Sequence, residues 1–158
     1  MIEILIVVAI IGILASVVLV GLGPAQRKGR DARRISDLRN VQTGLELYFS
    51  KCGFYPGDPE SGTSCIGRTD GTGGVPFGDW SILKTALTGS SIGVNSIPSD
   101  PGPAGYQYSS DGNGYVLAAT LDDPSNPALN DDVDGSVFGV DCGSFISTTE
   151  ETAYCIQF

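Results

Sequence analysis

The sequence predicts an α+β protein, in which a long N-terminal helix, one half membrane-spanning and one half amphipathic, packs against a small antiparallel sheet. Three observations carry this. Ile4 to Leu22 holds no charge, and Ser16 is its only polar side chain. Further on, Ile35, Leu38, Val41, Leu45, Tyr48, Phe49 and Cys52 recur at three-four spacing and leave one narrow apolar face. Finally, Tyr106–Ser109 and Tyr115–Leu121 flank Asp111-Gly112-Asn113-Gly114, a hairpin signal. The division that follows is an apolar span over 1–24 and an extracytoplasmic head over 25–158. Within the head, 25–51 is the amphipathic helix, 52–105 a loop with a short helix, and 106–158 a sheet with an acidic loop.

At helical rise Ile4 to Leu22 extends about 28 Å, close to the roughly 30 Å of a bilayer's hydrocarbon. A cleaved secretory signal does not fit, because no positive segment precedes the run and no small-x-small site follows it. Glu3 stands at the lip of the span. A carboxylate there is costly inside hydrocarbon unless it is paired. Either it sits among headgroups near the helix N-terminus, where negative charge is favoured, or it meets a positive partner once the helix leaves the lipid.

Charge is divided unevenly. Residues 27–39 hold six bases (Arg27, Lys28, Arg30, Arg33, Arg34, Arg39) against Asp31 and Asp37, whereas 52–158 holds fourteen acids against Arg68 and Lys84. So acidic a head does not bind nucleic acid through its phosphates. The basic run is either a solvated, headgroup-binding collar or an attractor for the acidic heads of neighbouring copies. Arg27–Asp31 and Arg33–Asp37, each four apart, are expected ion pairs. Gly21, Gly23 and Pro24 mark the expected place for a bend or local unwinding.

The cysteines Cys52, Cys65, Cys142 and Cys155 fall in two pairs, each thirteen apart, with no histidine and no C-x-x-C. Of the three possible connectivities, Cys52–Cys65 and Cys142–Cys155 are preferred because each closes a short loop. Disulfides place the head in an oxidising compartment. Basic residues after a span ordinarily hold that side in the cytoplasm, so the two signals conflict.

The segment IEILIVVAIIGILASVV, with its core I-E-x-x-x-V-x-A-I-I-G-I-L-A, resembles the N-terminus of type IV pilins and type II secretion pseudopilins. The resemblance implies a basic leader removed by a prepilin peptidase and methylation of the new first residue. It also implies that Glu3 pairs with the N-terminal amine of a neighbouring subunit during assembly. This sequence then begins about two residues inside the family's mature form, and a missing leader resolves the charge conflict. Where many pilins carry proline, Val20 stands here, with Pro24 beyond it. The stretch SDPGPAGYQYSSDGNGYVLAATLDD is similar, more loosely, to pseudopilin and Gram-positive-type pilin heads. The implied partners are copies of the same chain in a helical filament, the inner or cytoplasmic membrane before assembly, the peptidase, and the pilus or secretion assembly machinery.

In the head, Phe54 to Gly78 is rich in Pro-Gly, Asp-Pro, Ser-Gly and Asp-Gly pairs and reads as a long loop. Asp79 is placed to cap a short helix through Trp80, Ile82, Leu83, Ala86 and Leu87, ended by Gly89. Ile97 to Gly105 is a Pro/Gly turn, and Val137–Val140, Phe145–Ser147 and Ala153–Phe158 are weaker strands. Asn130 to Asp141, NDDVDGSVFGVD, follows a calcium-loop pattern. Asn130, Asp132 and Asp134 take the first, third and fifth places and Gly135 the sixth. Ser136 offers a carbonyl, and Asp141 closes the loop at the twelfth. Calcium in major pseudopilins and some pilins supports Ca2+ there by analogy; the alternative is a solvated acidic loop.

An enzyme is not expected. Without histidine the commonest general base is missing, and phosphate loops, dinucleotide fingerprints and nucleophile elbows are absent. The functional expectation is a structural filament subunit of type IV pilus kind. The alternatives are a major pseudopilin of a type II secretion system and a monomeric, membrane-anchored, calcium-dependent binding module.

Overall fold

A computed structural model of the chain describes residues 2–57, 65, 79–143 and 152–158, with the side chains of 17–22 outside the description. It is α+β: an N-terminal helix set against a small antiparallel sheet. Helix α1 runs Ile2–Cys52 and α2 runs Trp80–Gly89. Strands β1 (Tyr106–Ser110), β2 (Tyr115–Thr120) and β5 (Ala153–Gln157) form one sheet in the order β1-β2-β5, both pairings antiparallel. Strands β3 (Ser136–Val137) and β4 (Val140–Asp141) form a second, two-stranded ribbon after a 3-10 turn at Pro127–Asn130.

Helix α1 stays helical through Gly21, Gly23 and Pro24 rather than unwinding there. Proline removes one donor, but helix propagates readily from ordered turns on either side. The 51 residues would reach about 75 Å if straight. Helix α2 begins where the sequence places it, with Asp79 accepting the Ser81 N–H at 3.0 Å. Its other end is held from α1, where Lys51 Nζ donates to Ser90 O.

The sheet separates two apolar layers because side chains alternate along a strand. Tyr115, Leu117 and Ala119 of β2 face α1 with Tyr106, Tyr108 and Tyr154, against Leu38, Val41, Leu45, Tyr48, Leu83 and Leu87. On the other face Val116 and Ala118 pack with Val140, Cys142 and Cys155. Both disulfides form in the preferred pairing, Cys52–Cys65 and Cys142–Cys155, with Cα atoms 5.6 and 5.8 Å apart.

The β1–β2 turn is closed by its own side chains. Asp111 Oδ1 accepts the N–H groups of Asn113 and Gly114, and Ser110 Oγ donates to Gly114 O. The single strand expected at Val137–Val140 is instead a tight hairpin. Phe138 and Gly139 both take positive φ, 47° and 79°, as a two-residue turn of the mirror-image kind requires. Phenylalanine rarely adopts this conformation. Here Phe138 O accepts from Ser109 Oγ at 2.7 Å, and its ring packs with the second apolar layer. The strand expected at Phe145–Ser147 and most of the loop from Phe54 to Gly78 lie outside the described residues.

Candidate functional site

The first candidate surface is α1 itself. Every large apolar side chain from Ile2 to Leu14 is exposed, from 52% at Ile10 to 74% at Ile2. Apolar area left in water costs about 25 cal/mol per Å2, and a helix apolar on all sides is one that needs cover all round. Glu3, also exposed, stands in the first turn, where a negative charge complements the helix dipole. Among the described residues no helix is long and apolar enough to cross a membrane. The stretch Ile4–Leu22 includes 17–22, whose side chains are not described.

The basic run is split between two environments. Arg34 is 2% exposed, and its guanidinium is filled: Nε to Asp100 Oδ1 at 2.9 Å, Nη1 to Asp31 Oδ1 at 3.0 Å and to Asp122 Oδ1 at 2.8 Å. Arg30 Nε donates to Asp122 Oδ2 at 2.6 Å. Asp31 is fully buried and also accepts the backbone N–H groups of Asp122 and Asp123, at 2.7 and 3.0 Å. Burial works against the Arg34 charge, but hydrogen bonds to Asp100 and Asp122, with their charges, outweigh it and raise its pKa. Burial alone would raise Asp122; the bonds and charges of Arg34 and Arg30 hold it below the usual carboxylate range. The Asp31 pair is therefore with Arg34, not with Arg27, because Asp31 turns inward to bind the chain leaving β2. Arg33–Asp37 forms loosely, at 3.6 Å, with the arginine exposed and the aspartate mostly covered, where it also accepts from the Tyr106 hydroxyl at 2.7 Å. Arg27, Lys28 and Arg39 are exposed and make no ion pair among the described residues. So Arg34 is not part of a solvated collar: it clamps α1 to its own head, with Arg30 paired to Asp122 at the half-exposed rim.

A second polar contact lies farther along α1. Glu46 Oε1 accepts from the hydroxyls of Tyr55 and Tyr115, at 3.2 and 3.3 Å. Burial and the Glu46 charge push the Tyr55 phenol up to about 12.

The acidic loop is anchored on the far side of the sheet. Asp132 Oδ2 accepts the Cys155 N–H at 2.9 Å, and Cys142 N–H donates to Gly135 O at 2.7 Å. Both partners of one disulfide thus hold the loop. Asp132 Oδ1 is buried with no hydrogen-bond partner, and burial, followed by the Asp134 charge, raises its pKa. Asn130 ends the 3-10 turn, Asp134 is exposed, and Ser136 pairs with Asp141 across the ribbon. Among the described residues no three His, Cys, Asp or Glu side chains are grouped to hold a metal ion.

What sequence reasoning missed is the Arg34 clamp. Asp31 stands three residues before Arg34 on the same helix, but Asp100 and Asp122 lie 66 and 88 positions away, and nothing local couples them to it. Comparison with known protein families, with curated proteins and with solved structures gives no match.

Proposed function

We propose that this chain is a structural subunit of a type IV pilus-like helical filament, assembled from a membrane-stored pool by packing of its N-terminal helices. The observation that carries this reading is the uncovered apolar surface of α1 from Ile2 to Leu14, continuous with a half that is clamped to a folded head. A surface apolar on every side is covered by lipid or by copies of itself. Exchange of lipid for protein gains little hydrophobic energy, so packing and a specific polar contact must supply the order. Glu3 is the one ionisable side chain on the apolar segment, and its partner in this reading is the N-terminal amine of the next copy. The membrane-spanning half of α1 belongs to this proposal and rests on the composition of Ile4–Leu22. The two disulfides are compatible with an extracytoplasmic or cell-surface head.

A type II secretion pseudopilus uses the same surface and is the nearest alternative. The calcium-dependent reading has one supporting feature, the partnerless Asp132 Oδ1. A hard cation held by Asp132, with Asn130, Asp134, Ser136 and Asp141 drawn in, would satisfy that oxygen. The test of the filament reading is electron microscopy of fibres sheared from cells, with Glu3→Ala beside wild type: fibres built from this chain support it, and a permanently monomeric chain overturns it.

A further inference from the structure

Two exposed features of the head stand on opposite flanks of α1. One is an aromatic edge. Phe158 is 64% exposed and Phe49 39%, and the buried Tyr55 lies between them, its ring centroid 4.8 Å from Phe49 and 6.1 Å from Phe158. Phe158 also stacks on Tyr115 at 6.1 Å. Besides these two, Leu47 is the only large apolar side chain exposed on the described head. The other feature is a groove of about 270 Å3 between α1 and the segment 93–98, closed by Leu87 of α2; Val41, Gly44, Leu87, Val94 and Ile97 give it an apolar side, and Asn40, Asn95 and Ser96 a polar one. At its base a Cβ on residue 44 would lie 3.3 Å from Leu87 Cδ1 and 3.7 Å from Val94 Cγ2.

At 3.6 residues per turn, the core-facing stripe Leu38–Val41–Leu45–Tyr48 divides α1. Asn40 and Gly44 fall on one side of it; Gln42, Glu46 and Phe49 fall on the other. The sheet gives the same division. Helix α2 packs by β1, where Trp80 meets Tyr106 at 4.9 Å, and Phe158 follows β5 at the opposite edge. Charge is complementary as well. Lys84, exposed and one turn before Leu87, is the only charged residue of α2, while on the aromatic edge Tyr55 donates its hydroxyl to Glu46 and its N–H to Gly112 O, next to the exposed Asp111.

We propose that copies of this chain meet flank to flank, the Phe49–Phe158 edge of one filling the Gly44–Leu87 groove of the next. The proposal rests on the filament reading and deepens it. Subunits arranged around shared rods, each related to the next by one rotation and rise, touch through unlike flanks, and such heterologous contacts propagate as open helices. The groove is large enough for a phenyl ring, since an apolar cavity of about 150 Å3 takes benzene.

The test uses the full chain, purified in detergent and assembled by detergent removal, with pelleted fibre and micrographs as readout. Phe158→Glu spoils the edge and Asn40→Trp closes the groove; both positions are exposed, so the monomer's melting temperature checks that each variant folds. Each variant is expected to lower pelleted fibre by about tenfold or more, the change that 1.4 kcal/mol produces. Mixed together, they retain one sound contact per unlike pair, so cross-linking yields a heterodimer and no fibre returns. Wild-type fibre yield from either variant, or restoration of long fibres by the mixture, overturns the flank contact. If wild type and Phe158→Glu both assemble and Glu3→Ala does not, the filament reading stands and the flank contact falls. If wild type never assembles, both fall.

Discussion

Asp31 Oδ1 accepts the backbone N–H of Asp122 at 2.7 Å across 91 positions of sequence. This bond, with its neighbour to Asp123, fixes the head half of α1 to the chain leaving the central strand. The same carboxylate accepts from Arg34, so one buried acid joins helix, loop and cation. It is one of several ties between α1 and the head, beside the core stripe Leu38–Tyr48 and the Glu46 contacts to Tyr55 and Tyr115.

Arg34→Met is expected to destabilise the head by about 3–5 kcal/mol, because it leaves Asp31 and Asp100 buried without their cation. Arg30→Ala removes a half-exposed pair and is expected to cost under about 1 kcal/mol. Denaturant unfolding of the two variants checks this; equal, small losses would mean that the buried pair is not a clamp.

The pH dependence has two limbs. Asp122 titrates lower when folded than its ordinary 3.8. At acid pH the unfolded state therefore binds its proton first, and stability falls as pH drops through the folded value. The loss begins near pH 4 and is reduced in Asp122→Asn. On the alkaline side Tyr55 is pushed up to about 12 from 10.0, and burial raises Tyr106, Tyr108 and Tyr115 as well. The unfolded chain loses those protons first, so stability falls above about pH 10. Tyrosinate absorbance is expected to rise together with unfolding rather than ahead of it.

Two glycines separate space from backbone freedom. A Cβ at Gly102 would lie 2.5 Å from Arg34 Nη2, an atom whose side chain is locked by three carboxylates. Gly102→Ala is expected to cost about 1–3 kcal/mol. Gly29, within α1, has nothing within 4 Å, so Gly29→Ala is expected to stabilise by roughly 0.5–1 kcal/mol. Thermal melts decide both signs.

Elements with local chemistry were readable from sequence. Asp79 announced α2 because a capping carboxylate acts within one turn, and Asp111-Gly112-Asn113-Gly114 announced the hairpin because the turn closes on itself. Gly21, Gly23 and Pro24 pointed to a bend or local unwinding, and α1 runs through them without unwinding. The Val137–Val140 hairpin was hidden because Phe138, not asparagine or glycine, takes the positive φ. Arg34 looked like one more surface base, since its partners Asp100 and Asp122 come from loops 66 and 88 positions away. Its place four residues before Leu38, in line with the core stripe, and three after Asp31 was the local sign of its burial.

For the acidic loop, 1 mM calcium is expected to raise the melting temperature of the chain by about 3 °C or more over chelator, with the gain abolished in Asp134→Asn. An identical midpoint in calcium and in chelator leaves the loop as solvated charge anchored by Cys142–Cys155.

The most direct measurement is the assembly of full-length chain carrying Glu3→Ala, scored by fibre yield and by membrane insertion in the same cells. The expected result is collapse of fibre yield with insertion unchanged. Fibres as abundant as wild type would contradict the role given to Glu3, and wild-type chain that never leaves the monomeric state would contradict the filament itself.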